Sequence, residues 1–132
     1  MKPILTAYIS TAVIFLGLDS VWLSLMSSRL YKPALQGLLA EHVRLAPALL
    51  FYLLYIAGIV AFAVLPASTA AQAAWRGAGF GLIAYATYDL TNQATLRVWP
   101  PLVTGADLTW GSLATGIAAC LAFTICRLVL RG

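Results

Sequence analysis

Residues 48–58 read Ala-Leu-Leu-Phe-Tyr-Leu-Leu-Tyr-Ile-Ala-Gly, inside a run from Pro47 to Leu65 that has no aspartate, glutamate, lysine, arginine or histidine. A membrane-crossing helix needs about 20 mostly apolar residues, because each residue advances the helix by about 1.5 Å. The run has the length and composition of such a helix. We expect it to supply much of the lipid-facing wall of the protein.

The rest of the chain has the same apolar character. Its 132 residues are 62% hydrophobic and 9% charged, whereas a soluble domain carries about 25% charged residues. Further apolar runs cover approximately residues 3–26, 74–96 and 108–130, and no small-residue cleavage pattern follows the first of them. The sequence predicts an all-α integral membrane protein, a single domain over residues 1–132 built as a four-transmembrane-helix bundle.

The longest connection lies between the first and second spans and is amphipathic. Over approximately residues 33–44, apolar side chains recur at helical spacing among charged ones, and Pro33 suits the first turn of a helix. This pattern predicts a short interfacial helix lying on the membrane surface. Lysine and arginine are balanced between the two sides of a four-span chain, so they do not fix its orientation. We favour both termini in the cytoplasm, and the balance leaves dual topology open.

The third span is more polar than the others. Tyr85, Tyr88, Asp89, Asn92 and Thr95 follow steps of three and four residues, so they form one stripe along a helix. An aspartate at the centre of a membrane helix costs about 2.5–3.5 kcal/mol on insertion scales, and such residues indicate a functional site by default. The alternative is that Asp89 and Asn92 only hydrogen-bond to neighbouring helices.

Polar and aromatic residues of three spans are expected to meet in one leaflet. Spans one and three run in the same direction, and Asp19 and Asp89 each lie about 10 Å from the same end. Asp107 and Trp110 enter that leaflet from the fourth span, although Asp107 also suits a helix cap and the indoles suit interfacial anchors. Asp19 is expected to share a proton or a hydrogen bond with Asp89 and Asn92. The predicted ligand-binding residues are Asp19, Trp22, Tyr85, Tyr88, Asp89, Asn92, Asp107 and Trp110.

Two spans carry small residues one helical turn apart. Gly77 and Gly81 begin the third span, and Ser112 and Gly116 lie in the fourth. Small residues at this spacing let helices approach closely. The pattern predicts close helix contacts, either within one bundle or between two copies of the chain.

The sequence lacks the residues that several kinds of functional site require. The single histidine, His42, excludes a three-histidine metal site and a bis-histidine haem site. There is no Cys-x-x-Cys motif, phosphate-binding glycine loop or Gly-x-Ser-x-Gly elbow. The net charge of +4 forms no basic stripe, so we expect no nucleic-acid partner. We also expect no cofactor and no metal, and we favour a non-enzymatic protein because no nucleophile accompanies Asp19 and Asp89.

Three motifs carry a resemblance that covers nearly the whole chain. They are Asp19-x-x-Trp22, Tyr88-Asp89-x-Thr91-Asn92 and Asp107-x-x-Trp110-Gly111. They resemble those of a bacterial family of four-span inner-membrane proteins, a domain of unknown function. The resemblance implies a multi-pass protein of the bacterial inner (cytoplasmic) membrane and an association with enzymes that modify membrane lipids. It implies no particular activity.

Functions of different classes remain open. A protein that binds a lipid or another amphipathic small molecule, as an accessory to membrane-lipid modification, fits an aromatic pocket with a few polar groups. The alternative is a small proton-coupled transporter that uses Asp19 and Asp89, in one version a dual-topology homodimer. A second alternative is a structural subunit of a larger membrane complex. The expected partners are therefore the bilayer, a lipid or small amphiphile, and either a second copy or a membrane enzyme.

Overall fold

Helices account for most of the chain. The computed structural model describes residues 2–39 and 44–131, and this part contains no strand. The helices are α1 (Lys2–Met26), α2 (Lys32–Ala34), α3 (Leu45–Ile59), α4 (Ala70–Thr95) and α5 (Pro101–Arg131). Two wide π-helical turns, π1 (Ser27–Tyr31) and π2 (Val60–Val64), join α1 to α2 and extend α3. The predicted all-α class is confirmed.

Three helical stretches of the described residues are long and apolar enough to cross a membrane, namely Lys2–Ala34, Leu45–Val64 and Pro101–Leu130. The 26 residues of α4 reach about 39 Å at 1.5 Å per residue, but their polar side chains lower the hydropathy of this helix. Large apolar side chains cover the outside of the bundle, including Ile83 at 70% and Leu128 at 71% exposure. A continuous apolar exterior is suited to lipid rather than to water.

α1 ends at Met26, close to the predicted end of the first span, but helical structure continues through π1 and α2 to Ala34. The chain then turns over residues 35–39, where Gly37 has a φ of 84°, a left-handed conformation that favours glycine and ends a helix. Residues 35–39 of the predicted interfacial helix are therefore not helical, and residues 40–43, including His42, lie outside the described part.

The last helix begins earlier than expected. It starts at Pro101 rather than near residue 108, because proline has the φ of a first helical turn and needs no hydrogen-bond partner for its nitrogen. Asp107 thus lies inside α5, and the prediction that it caps this helix is wrong. The side-chain cap seen in this half of the chain belongs to α4, where Thr69 Oγ1 accepts a hydrogen bond from the Gln72 N–H at 3.1 Å.

α5 is the central helix and packs against α1, α4 and π2. Its contact with α4 is the closest, because both helices present small residues to each other. A Cβ atom on Gly77 or Gly81 would collide with backbone oxygens of α5. On the facing side, Ser112 donates a hydrogen bond to the Ala78 carbonyl at 3.0 Å, and Gly116 lies one turn further along. The predicted small-residue contacts are thus formed within one chain.

The two ends of the bundle are packed differently. At one end the beginnings of α1 and α4 meet π2 and the later half of α5, and small and branched apolar side chains fill the space between them. This core includes Ala7, Ile59, Val60, Ala63, Val64, Ala73, Ala118, Ala119 and Ala122. At the other end α3 and α4 make little direct backbone contact. Aromatic side chains and open space lie between them there.

Candidate functional site

A cavity of about 690 Å³ occupies the loosely packed end of the bundle. Cavities that hold small molecules measure about 300–1,000 Å³. The wall combines residues from the later halves of α1 and α4 with residues from the earlier halves of α3 and α5. It consists of Asp19, Trp22, Leu23, Tyr31, Phe51, Tyr52, Ala84, Tyr85, Thr87, Tyr88, Asp107 and Trp110.

Most of the residues that the sequence singled out reach this cavity. Six of the eight candidates line it, namely Asp19, Trp22, Tyr85, Tyr88, Asp107 and Trp110. Asp89 and Asn92 are not part of the wall. Asp89 is fully buried behind it, whereas Asn92 is half-buried near the end of α4. The stripe on α4 is therefore divided, with its tyrosines facing the cavity and its aspartate enclosed by protein.

Asp19 is held by two other helices. It is 7% exposed, and its Oδ2 accepts a short hydrogen bond from the Tyr52 hydroxyl on α3. Its Oδ1 accepts a second one from the Trp110 indole N–H on α5 at 3.2 Å. An ionised carboxylate is an acceptor at both oxygens, so these are the bonds it would make. Asp19 thereby ties α1, α3 and α5 together at the cavity wall.

Asp107 is held in the same way by the extended first helix. Its Oδ1 accepts a short hydrogen bond from the Tyr31 hydroxyl, and the Tyr31 oxygen accepts one from the Trp22 indole N–H at 2.9 Å. Trp22 also stacks on Trp110, with ring centroids 4.7 Å apart and planes 7° from parallel. Because Trp110 donates to Asp19, the stacked pair joins the two carboxyl groups into one network.

The π-helical turn π1 explains how Tyr31 reaches this network. In an uninterrupted α-helix the nine residues from Trp22 to Tyr31 make about 2.5 turns, which would put the two side chains on opposite faces. A π-helical turn contains about one extra residue and so rotates everything after it. Tyr31 therefore faces the same side as Trp22.

Asp89 has an unusual environment. Its side chain is fully buried, and neither carboxyl oxygen has a hydrogen-bond partner among the described residues. Its polar neighbours include the Asp107 carboxyl and the indole of Trp99, whose N–H is also without a partner in that part of the chain. Asp19 instead bonds to Tyr52 and Trp110. The expectation that Asp19 would pair with Asp89 is wrong, since Asp107 is the carboxyl beside Asp89.

Comparison with known proteins covers most of the chain, including every candidate residue. The model of the family described as Predicted membrane protein (DUF2177) matches residues 4–124. The chain belongs to this family. No curated protein and no solved structure matches it. The family description agrees with the resemblance seen in the sequence motifs and identifies a membrane protein of unknown function.

In this DUF2177 member, sequence reasoning missed two side chains that hydrogen-bond to the carboxyl groups of the site. Tyr52 lies in the span expected to supply much of the lipid-facing wall, although Tyr52 and Tyr55 occur one turn apart there and could have indicated an inward face. Tyr31 lies in a segment that the pattern assigned to a connection, and no sequence signal placed it near Asp107. Both hydroxyls donate to a carboxyl group of the site.

Tyr55 separates the cavity from the core of this DUF2177 member. Its hydroxyl shares a 2.7 Å hydrogen bond with Thr115 Oγ1. Its ring lies edge-on to Tyr85 at 6.1 Å and stacks on Phe80 at 5.4 Å. The inner part of the site is thus aromatic, and the Tyr55 hydroxyl there is already hydrogen-bonded. The oxygens that can still accept a hydrogen bond from a ligand lie nearer the carboxyl groups.

Proposed function

We propose that this protein binds a lipid or another amphipathic small molecule in the cavity and serves as an accessory to membrane-lipid modification. One observation carries the proposal: a cavity of about 690 Å³ combines a mainly aromatic wall with two nearly buried carboxyl groups, those of Asp19 and Asp107. Small-molecule sites have this composition, in which apolar walls supply contact area and a few polar groups fix orientation. The association with lipid-modifying enzymes is supported by the sequence resemblance alone.

The rim of the cavity supports an amphipathic ligand. Leu23, Phe51 and Tyr88 line the cavity and are 44%, 46% and 59% exposed. An apolar opening that continues onto a lipid-facing surface allows an acyl chain to remain in the bilayer while its polar head enters the protein.

We further infer that α4 is a fourth span and that the protein lies in the bacterial inner membrane with both termini in the cytoplasm. Two observations support the span: α4 is long enough to cross, and it packs along α5, itself a candidate span. In a chain with Cys120 and Cys126 changed to alanine, Ser68→Cys and Val98→Cys flank α4. An impermeant maleimide should label them from opposite sides of the membrane, and labelling from one side would reject the fourth span.

Native mass spectrometry of the gently purified protein, followed by lipid extraction, tests the binding proposal. The parent should retain a defined lipid or amphiphile. Ala84→Phe should lose it, because Ala84 lines the cavity and a phenyl ring would fill part of the space. Ala94→Phe is the matched control, since it adds the same ring at an exposed position on the same helix. An empty parent, or equal occupancy in both variants, would reject the proposal.

A small proton-coupled transporter is the second candidate, and one observation favours it. Asp89 is a fully buried carboxyl without a hydrogen-bond partner among the described residues, beside a second carboxyl at Asp107. Ionisable groups enclosed in membrane proteins are typical of proton relays. In proteoliposomes, ligand movement driven by an imposed pH gradient and lost in Asp89→Asn would support transport. Binding without movement would favour the accessory role.

A further inference from the structure

The hydrogen-bond donors of the network at the cavity wall are already used within the protein. The Tyr31 and Tyr52 hydroxyls donate to carboxyl groups, the Trp110 indole donates to Asp19, and the Trp22 indole donates to Tyr31. What these groups can still offer to a ligand is acceptor capacity, because carboxylate and phenolic oxygens have further lone pairs. None of these four groups therefore has a donor left for a head group that accepts hydrogen bonds, such as a phosphate or a carboxylate.

The charge of the cavity wall also disfavours a phosphate or carboxylate head group. Asp19 and Asp107 are both 7% exposed and both line the cavity, and within the described part of the chain no lysine, arginine or histidine is among the lining residues. A phosphate or carboxylate head group would enter against two carboxyl groups without a cation to balance it. A cationic head group would instead be attracted to both carboxyl groups.

The aromatic side chains supply a third contribution. Six of the lining residues besides Tyr31 are tryptophan, tyrosine or phenylalanine, and Trp22 and Trp110 form one stacked pair. Ring faces attract ammonium groups, by about 0.5–1 kcal/mol at exposed sites and by more when water is excluded. Carboxyl groups framed by aromatic rings are typical of sites for cationic nitrogen.

We propose that the cavity recognises an amphiphile with a cationic nitrogen head group, a primary amine or a quaternary ammonium, held between Asp19, Asp107 and the Trp22–Trp110 pair. The proposal rests on the proposed function, because it assigns a ligand class to the same cavity. The head group lies at the carboxyl groups, and the hydrocarbon chain leaves over the apolar rim at Leu23 and Phe51.

The test compares two probes, dodecyltrimethylammonium and dodecanoate, which have hydrocarbon chains of similar length and head groups of opposite charge. The protein is held in dodecyl maltoside and carries Trp75→Phe and Trp99→Phe, so that the fluorescence reports only on the two cavity tryptophans. Dodecyltrimethylammonium should give saturable quenching with a Kd about tenfold or more below that of dodecanoate. A tenfold difference corresponds to about 1.4 kcal/mol.

Substitution of the carboxyl groups gives a second measurement. Asp19→Asn and Asp107→Asn should each raise the Kd for dodecyltrimethylammonium about tenfold, since each removes one charge but keeps the side-chain shape. Thr124→Ala, at an exposed position on α5, should leave it unchanged. The probe comparison uses unmodified carboxyl groups, so it remains decisive if an asparagine variant fails to fold.

The outcomes distinguish this inference from the proposed function. If both probes bind equally, or if dodecanoate binds more tightly, while Ala84→Phe abolishes binding, the cavity is a binding site but the charge inference is wrong. If neither probe gives saturable quenching and the purified protein carries no defined ligand, both the inference and the proposed function fail.

Discussion

Gly81 on α4 lies so close to α5 that any side chain there would meet the neighbouring helix. A Cβ atom at this position would be 2.7 Å from Thr115 Oγ1 and 2.8 Å from Thr115 Cβ, and closer still to the backbone oxygen of Gly111. Distances below 3.0 Å require something to move. A backbone oxygen in the middle of a helix cannot rotate away as the end of a flexible side chain can. We therefore predict that Gly81→Ala forces α4 and α5 apart.

Gly79, half a turn away on the same helix, provides a matched control. A Cβ atom there would meet nothing within 4 Å. Both substitutions replace glycine by alanine inside a helix, which stabilises the helix by about 1 kcal/mol in each case. This contribution cancels in the comparison. The difference between the two variants is then the overpacking penalty, about 1–3 kcal/mol, and we expect the upper part of that range because the contact is with backbone.

Unfolding of the purified protein in mixed micelles, followed by circular dichroism as dodecyl sulfate replaces a mild detergent, measures the difference. Gly79→Ala should unfold at the same or a higher dodecyl sulfate fraction than the parent, and Gly81→Ala at a clearly lower one. Equal stability of the two variants would refute the packing of α4 against α5 on which the position of Tyr85 and of the cavity wall depends.

Three further predictions concern the site. Tyr52→Phe should lower the free energy of unfolding by about 1.5–3 kcal/mol, the range for hydrogen bonds to charged groups. Tyr8→Phe loses an exposed bond to a backbone carbonyl and should lower it by about 1 kcal/mol or less. The same unfolding assay measures both variants, and similar losses would contradict the special role of the carboxyl partner. Trp22→Phe should remove the exciton couplet that stacked indoles produce in circular dichroism. Trp75 is 62% exposed, so Trp75→Phe should keep the couplet. A couplet that is unaffected by Trp22→Phe would show that the stack is absent. Asp89→Asn should not reduce the free energy of unfolding, because the amide can donate to the neighbouring carboxyl group and neither oxygen of Asp89 has a partner among the described residues. A loss above about 1 kcal/mol would mean that Asp89 makes a bond that this structure lacks.

Some features of the site followed from the order of helices along the chain. Successive long helices joined by short connections run in alternate directions, so the end of one lies beside the beginning of the next. The later halves of α1 and α4 therefore had to meet the earlier halves of α3 and α5. That requirement places Asp19, Trp22, Asp107 and Trp110 at one end, as the motif positions predicted.

Local patterns were less reliable where one residue decides a boundary. The amphipathic spacing after residue 33 predicted a helix on the membrane surface, but Gly37 adopts a left-handed conformation and the chain turns before residue 40. The polar region before residue 108 suggested a connection, yet Pro101 begins a helix that carries Asp107 in its second turn. In both places a glycine or proline outweighed the pattern of its neighbours.

By itself, the sequence determined the helical class, the membrane environment and the end of the bundle at which polar and aromatic groups collect, because these depend on composition, run length and chain direction. Only the tertiary structure decided which groups touch. The rotation of each helix about its axis is set by packing against the others, and no run length specifies it. That rotation brings Asp107 rather than Asp19 beside Asp89, turns Tyr52 inward and, through the extra residue of π1, carries Tyr31 to Asp107.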